Sequence, residues 1–532
     1  MMKIASSAKD FLSIEDLVGR VSEEVNGILR TNLYEAGLSE NELDRLKTRK
    51  LELREALKNC GVGDKYAKKY IKHTIKEILL SKILKNVTDY DSYIYFGNAE
   101  KLTYRDKFDI ILYLMFLENG QLALEKFLDD FMENVEGNIL DVTCVTGEYV
   151  DKVYDSMDTY LSAADKLEII VQRVYGEYKG LGVIDEIRDM KIEGVSSGVS
   201  GDSNGPSSVW VMHRGVNIHL SFLKFETVGE LERVCMNIYR YGSPGQLSKS
   251  KGYIVNEMKD NSRVVVVRPP FAENFAFFVR KFDTIENKQI PQLITDKGAE
   301  LVEEILRYIV RGCQVSAITG AQGSGKTTLL MSMIGFIPGS YTLRIQEQAF
   351  ELHLRDIYPM RNILTFRETE YVSGQEGLDI QKKTDGVVNI LGEVASNEVA
   401  AWLIQMSQVG SLFTLFTHHA KTTESLIKYM RNALIINGNF NNERIALEQV
   451  VEAIRFDIHM EKDGSGHRYI ERISEIVQTN DSTGYVIRNI VQFDGEKYIL
   501  KDKFSDMMSY DIAKHLVGEE REGFNEKFGV QA

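Results

Sequence analysis

Gly320, Ala321, Gln322, Gly323, Ser324, Gly325, Lys326 and Thr327 satisfy the spacing GxxxxGK[ST], with Thr328 following. The chemistry of such a run is phosphate binding. Its glycines let consecutive backbone N–H groups converge on phosphate oxygens without Cβ clashes. A helix starting near Lys326 would turn its positive end toward the same anion. Lys326 would reach the β- and γ-phosphates of a nucleotide such as ATP, and the Thr327 hydroxyl would ligate Mg²⁺. Hydrolysis needs a carboxylate near the metal and the attacking water. VVNILGE at 387–393 supplies one, with Glu393 just past an apolar strand.

These residues need particular elements to hold them. QVSAIT at 314–319 is a short apolar strand running into the glycine loop, and residues 298–311 before it form a helix. Strand, loop and helix in that order is the setting a phosphate loop requires. Upstream, 284–297 is polar with one proline and suits an inter-domain linker. Before the linker, 216–224, 263–268 and 275–282 have strand character, and 161–178 is helix-like. The turn-rich tract at 194–208 is a long hairpin loop. The segment 156–285 is thus a mixed α+β domain, followed by an α/β domain over 286–532.

Residues 1–155 are helical and strongly charged. Over 65–85, Ile71, Ile75, Ile78, Leu79 and Ile83 fall on one face and lysines fill much of the other. That face either docks on an acidic partner or lipid headgroups, or is a solvated face packed on its own domain. The run FDIILYLMF at 108–116 fits a buried helix and a strand core equally.

The 532 residues suffice for roughly three to four domains of ~150 residues. A net charge of −14 and a pI near 5.4 lack the basic excess of nucleic-acid binders. Cys60, Cys144, Cys235 and Cys313 are scattered, which argues against a zinc site or disulfide framework and fits a reducing cytosol. No apolar run approaches the ~18 residues of a membrane span, and the N-terminus lacks a signal-peptide core. A soluble, cytoplasmic chain is expected, with any membrane role peripheral.

Three further stretches line up behind the loop: RIQEQAFEL at 344–352, LGEVASNEVAAWLIQMSQVGSLFTLFTHHAK at 391–421, and ALEQVVEAIRFDIHMEKDGSGHRYIERISEI at 446–476. With the phosphate loop they resemble the type II/type IV secretion ATPase superfamily. The nearest flavour is the CpaF/TadA-like ATPases of tight-adherence (Flp-type) pili. The resemblance covers about 160–480. It implies a RecA-like ATPase core behind an α+β domain, in a homo-hexameric ring at the inner face of the cell membrane. Such a ring would hydrolyse ATP with Mg²⁺, push on a polytopic platform protein and thereby assemble pilin. It implies that Glu347 activates water, with Glu351 as the second acid of that box, and that Glu393 acts on Mg²⁺. His418, counted without gaps from Glu393, would sense the γ-phosphate; a one-residue slip would give that role to His419. Arg263 and Arg280 would reach the nucleotide from the preceding domain, and Arg367 would act near the subunit boundary.

The sequence departs from that pattern at Gln348, usually Asp; Ala395, usually Arg; Val387, usually Asp; and Lys383, commonly Arg. VGS stands in place of TGH, and the tetracysteine insert is absent. Two other functions stay open: a secretion or conjugation motor moving protein or DNA, and a nucleotide-gated scaffold with weak turnover.

Overall fold

Side-chain caps set where several helices of the first unit begin. In this computed structural model the described residues are 13–31, 40–84, 90–134, 144–201, 207–282, 289–348, 350–369, 372–438, 440–464 and 466–529. They form two compact units, Met1–Thr284 and Ile285–Ala532. Residues 284–288 of the expected linker and 202–206 of the expected hairpin loop lie outside the described residues.

In the first unit, Ser13 with Asp16, Thr103 with Asp106, and Ser162 with Asp165 form reciprocal capping boxes. Each satisfies backbone donors that a helix start leaves free. They open the helices Ile14–Arg30, Tyr104–Asn119 and Ala163–Tyr178. The ambiguous run at 108–116 is therefore helix, with Phe108, Ile111, Leu112 and Met115 buried at helical spacing. Asp64 caps Lys65–Ile78 by accepting from the Tyr66 and Ala67 amides. Ile71, Ile75, Ile78 and Leu79 are buried, each worth about 2 kcal/mol of transfer free energy. Two lysines on that helix, and Lys82 just beyond it, meet acids of their own unit. Lys68 lies 2.5 Å from Asp185 and 2.6 Å from Asp189; Lys76 pairs with Glu168 and Lys82 with Glu24.

The seven strands of this unit are β1 (Cys144–Val145), β2 (Gly194–Ser197), β3 (Ser208–His213), β4 (Val216–Lys224), β5 (Tyr253–Glu257), β6 (Arg263–Val267) and β7 (Ala276–Arg280). They form one sheet, in the order β1-β4-β3-β2-β7-β6-β5. β1 lies parallel to β4 and the other pairings are antiparallel. The tract expected as a loop over 194–208 instead begins with a strand, because Gly194–Ser197 pairs antiparallel with both β3 and β7. One continuous apolar core, from Leu17 to Val279, joins helices and sheet.

The second unit holds β8 (Ser316–Gly320), β9 (Leu343–Glu347), β10 (Ile363–Arg367), β11 (Val388–Leu391), β12 (Phe413–His418), β13 (Phe456–Lys462), β14 (Arg468–Gln478), β15 (Tyr485–Phe493) and β16 (Tyr498–Leu500). Their order is β10-β9-β11-β12-β8-β13-β14-β15-β16. From β10 to β13 every pairing is parallel, and β13 to β16 form an antiparallel ladder. β8, β9, β11 and β12 are buried along their whole length, as strands covered on both faces must be. This is the expected α/β, RecA-like core. Parallelism puts the carboxyl ends of β8, β9, β11 and β12 at one edge, where ligands of open α/β sheets bind. No helix among the described residues is long and apolar enough to cross a membrane, and all four cysteines are free.

Candidate nucleotide-phosphate site

β8 ends at Gly320, and the helix Lys326–Ile334 begins six residues later. Gly320, Gly323 and Gly325 all have positive φ, at 139°, 76° and 97°. At Gly320 the need is also steric, because a Cβ there would lie 2.1 Å from the Met460 carbonyl oxygen. The loop thus folds tightly against β13. The Ser324 hydroxyl inside it is buried and has no protein partner. Exposed Ala321 and Gln322 form its rim.

Lys326 is 6% exposed and folds back onto the loop. Its Nζ donates to the carbonyls of Gly320 at 3.0 Å and Ala321 at 2.8 Å, and lies 3.3 Å from His419 Nδ1. Burial pushes its ammonium down to about 8, against the attraction of Glu393. A desolvated cation beneath glycine amides, beside an unpartnered hydroxyl, fits a polyanionic phosphate. Thr327 and Thr328 occupy the first turn of the helix. The hydroxyl of Thr327 and the carboxylate of Glu393 are hard oxygen donors, the type Mg²⁺ prefers, and would hold that ion. When bound, Mg²⁺ supplies charge neutralisation to the phosphates.

Glu393 follows β11, and its Oε1 lies 3.1 Å from His419 Nε2. His419 therefore bridges Lys326 and Glu393. His418 takes another position. It is the last residue of β12, 8% exposed, with its ring 4.5 Å from that of Tyr429. Its Nδ1 accepts from the Ala420 amide at 3.0 Å. Burial pushes its imidazole down to about 4, helped by His419 and Lys326. The structure thus brings His419, rather than His418, to the lysine and the carboxylate.

Glu347 ends β9 and is buried. Its Oε1 accepts from the amides of Glu351 and Leu352, both at 2.9 Å. Its Cγ lies 3.1 Å from where a Gly392 Cβ would be, so the residue before Glu393 packs directly on Glu347. Glu351 meets Glu347 through its backbone. Gln348 and Ala395 are exposed. Arg367 stands opposite Glu347 in the β10–β9 register, its guanidinium 4.8 Å from the Phe350 ring. In the first unit, Arg263 and Arg280 are direct cross-strand partners on β6 and β7. Arg280 Nη1 approaches Met212 Sδ at 3.2 Å, and Arg263 lies over the Phe282 ring.

Two supports escape sequence reasoning. Arg468 on β14 donates from Nε to the Gly323 carbonyl at 2.9 Å, which ties the loop crest to the antiparallel ladder. Beneath the loop, Thr319 Oγ1 donates to Asp457 Oδ1 at 2.5 Å. Asp457 is fully buried, and its Oδ2 accepts from Thr423 at 2.6 Å. Arg468 and Gly323, like Thr319 and Asp457, lie more than a hundred positions apart in the chain, and no local pattern links them.

Residues 267–455 match the family described as "Type II/IV secretion system protein". No curated protein matches the chain. Among solved structures, the chain is similar to the VirB11 ATPase from the Brucella suis type IV secretion system, at 18% identity over 53% of this chain and 89% of that one, with a TM-score of 0.30. It is similar to the ATPase DotB of Legionella pneumophila, at 16% identity over 63% and 83%, with a TM-score of 0.37. It is also similar to the pilus retraction motor PilT, solved with ADP, at 14% identity over 63% and 86%, with a TM-score of 0.39. The phosphate loop, Glu347, Glu393 and both histidines all fall inside the residues that match this type II/IV secretion family.

Proposed function

We propose that the second unit binds ATP with Mg²⁺ and hydrolyses it to ADP and phosphate, driving a secretion-type machine. The observation that carries this is the Lys326–His419–Glu393 chain at the mouth of the phosphate loop. Lys326 grips phosphate, and Glu393 with Glu347 supplies the carboxylates for Mg²⁺ and the attacking water. His419, in contact with both Lys326 and Glu393, would relay the presence of the γ-phosphate between them. Arg263, Arg280 and Arg367 are assigned phosphate or subunit-boundary roles by the resemblance alone.

At the finer level, the chain is proposed to be the homo-hexameric motor of a Tad/Flp-like type IV pilus or type II secretion system. It would act from the cytoplasmic side on a polytopic membrane platform protein, with pilin as the indirect substrate. The resemblance of the motif series supports that reading. The test is steady-state phosphate release by wild type, Lys326→Ala and Glu393→Gln, with the oligomer sized in parallel. Turnover in wild type and its loss in both variants is the expected result. Equal rates in all three would retire the motor and leave the nucleotide-gated scaffold.

A further inference from the structure

His459, on β13 beside the phosphate loop, poses a hydrogen-counting problem. Its imidazole is 1% exposed, with Nδ1 2.8 Å from Thr319 Oγ1. A threonine hydroxyl has a single hydrogen. Thr319 gives it to Asp457 at 2.5 Å. Asp457 also accepts from Thr423 and lies 3.8 Å from the Arg472 guanidinium, surroundings that suit an ionised carboxylate. Thr319 must then accept from His459, so Nδ1 carries the proton. In a neutral ring this leaves Nε2 as a bare lone pair. That lone pair faces Glu461 Oε1 at 3.1 Å, a second acceptor.

A second carboxylate converges on the same point. One ligand atom each from His459, Glu461 and Glu471 lie within 4.8 Å of one another. His459 and Glu461 are two apart on β13 and share a face. Glu471 reaches them through an irregularity in the ladder. His459 pairs with Arg472 and Met460 with Ile470, so Glu471 is the extra residue of a bulge. Bulges re-aim side chains in this way. Glu471 also touches the Arg472 guanidinium. Both glutamates are about 40% exposed, which leaves an entry path to a nitrogen that is otherwise buried.

We propose that His459 Nε2, Glu461 and Glu471 form a binding site for a divalent transition-metal ion, with Thr319 as the outer group that fixes the imidazole tautomer. One imidazole and two carboxylates suit Zn²⁺, Mn²⁺ or Fe²⁺, with water completing the shell. A ligating histidine ordinarily hydrogen-bonds through its other nitrogen, as His459 does with Thr319. The site shares no ligand with the Thr327–Glu393 position. It stands beside the root of the phosphate loop, since His459 pairs with Thr319 and Met460 with Gly320.

The test uses the full chain, stripped with chelator, free of nucleotide, and titrated with Co²⁺ and Zn²⁺. The expected result is one ion per chain after desalting, with a Co²⁺ visible spectrum that reports a nitrogen ligand. Glu461→Gln and Glu471→Gln, checked for fold by circular dichroism, should bind at least tenfold more weakly. Thr319→Val should lose about 10–100-fold, whereas Thr327→Ala should match wild type. Failure of wild type to retain either ion would overturn the site and assign Nε2 a proton. Retention unchanged in Glu471→Gln would overturn it equally.

Discussion

Lys326 carries a charge that the unliganded fold holds at a cost. Burial takes its ammonium from 10.5 to about 8, a gap that corresponds to ~3 kcal/mol. The folded chain binds this proton less tightly than the unfolded chain does. The cost is therefore present in full below pH 8 and fades as pH rises from 8 to 10.5, so the second unit gains stability across that window. Lys326→Met keeps most of the stem and removes the charge. It also leaves the Gly320 and Ala321 carbonyls without their donor, a loss of about 1 kcal/mol for each bond. The net expectation at pH 7 is a unit more stable by ~1–2 kcal/mol that no longer binds nucleotide. The chain's two tryptophans make the assay selective, because Trp210 lies in the first unit and Trp402, 1% exposed, in the second. In a Trp210→Phe background, urea unfolding followed at Trp402 should show a higher midpoint for the methionine variant. A non-hydrolysable ATP analogue should then stabilise only the lysine form. A methionine variant that is less stable at pH 7, or that still responds to the analogue, would refute the reasoning.

Three other outcomes follow from the same site. His418 is held at about 4, below its ordinary 6.5, so the unfolded chain takes up its proton first. Stability should fall by ~3 kcal/mol as pH drops from 6.5 to 4, and His418→Asn should flatten that limb in acid unfolding followed at Trp402. Gly320→Ala drives a Cβ against the Met460 carbonyl, and calorimetry with the ATP analogue should show binding weakened by at least about tenfold, a free-energy loss within the usual range for forced backbone strain. Arg468→Met removes one hydrogen bond to the loop crest, so analogue affinity should fall about 3–10-fold, equivalent to roughly 1 kcal/mol, and an undiminished affinity would dismiss the tether.

What the sequence made legible was local. The phosphate loop reads directly because strand, loop and helix are contiguous from Ser316 to Ile334. Glu393 reads from the apolar strand before it. The helix at 108–116 was undecidable from a continuous apolar run, although the Thr103–Asp106 box just upstream signals a helix start. The histidine pair was ambiguous for a physical reason. His418 is the last residue of β12 and turns into the core, while His419 lies beyond the strand and turns to Lys326. A spacing counted along the chain cannot fix which face a strand's last residue takes. Long-range partnerships were silent for the same reason. Asp457 under Thr319, Arg468 on Gly323 and Asp185 on Lys68 become neighbours only once strand order and helix packing exist.

The first unit's single core bears on inheritance. β1, from the segment behind the N-terminal helices, forms the sheet edge against β4, where the Ser221 hydroxyl donates to the Val145 carbonyl. Buried Arg173, in the helix Ala163–Tyr178, is neutralised by Asp106 and Asp109. A recombination event breaking the gene near codon 155 would hand its recipient a sheet missing an edge strand and a helix carrying a stranded buried charge. A break near residue 284, where the compact unit ends, would keep the edge strand and the charged pairs with their partners.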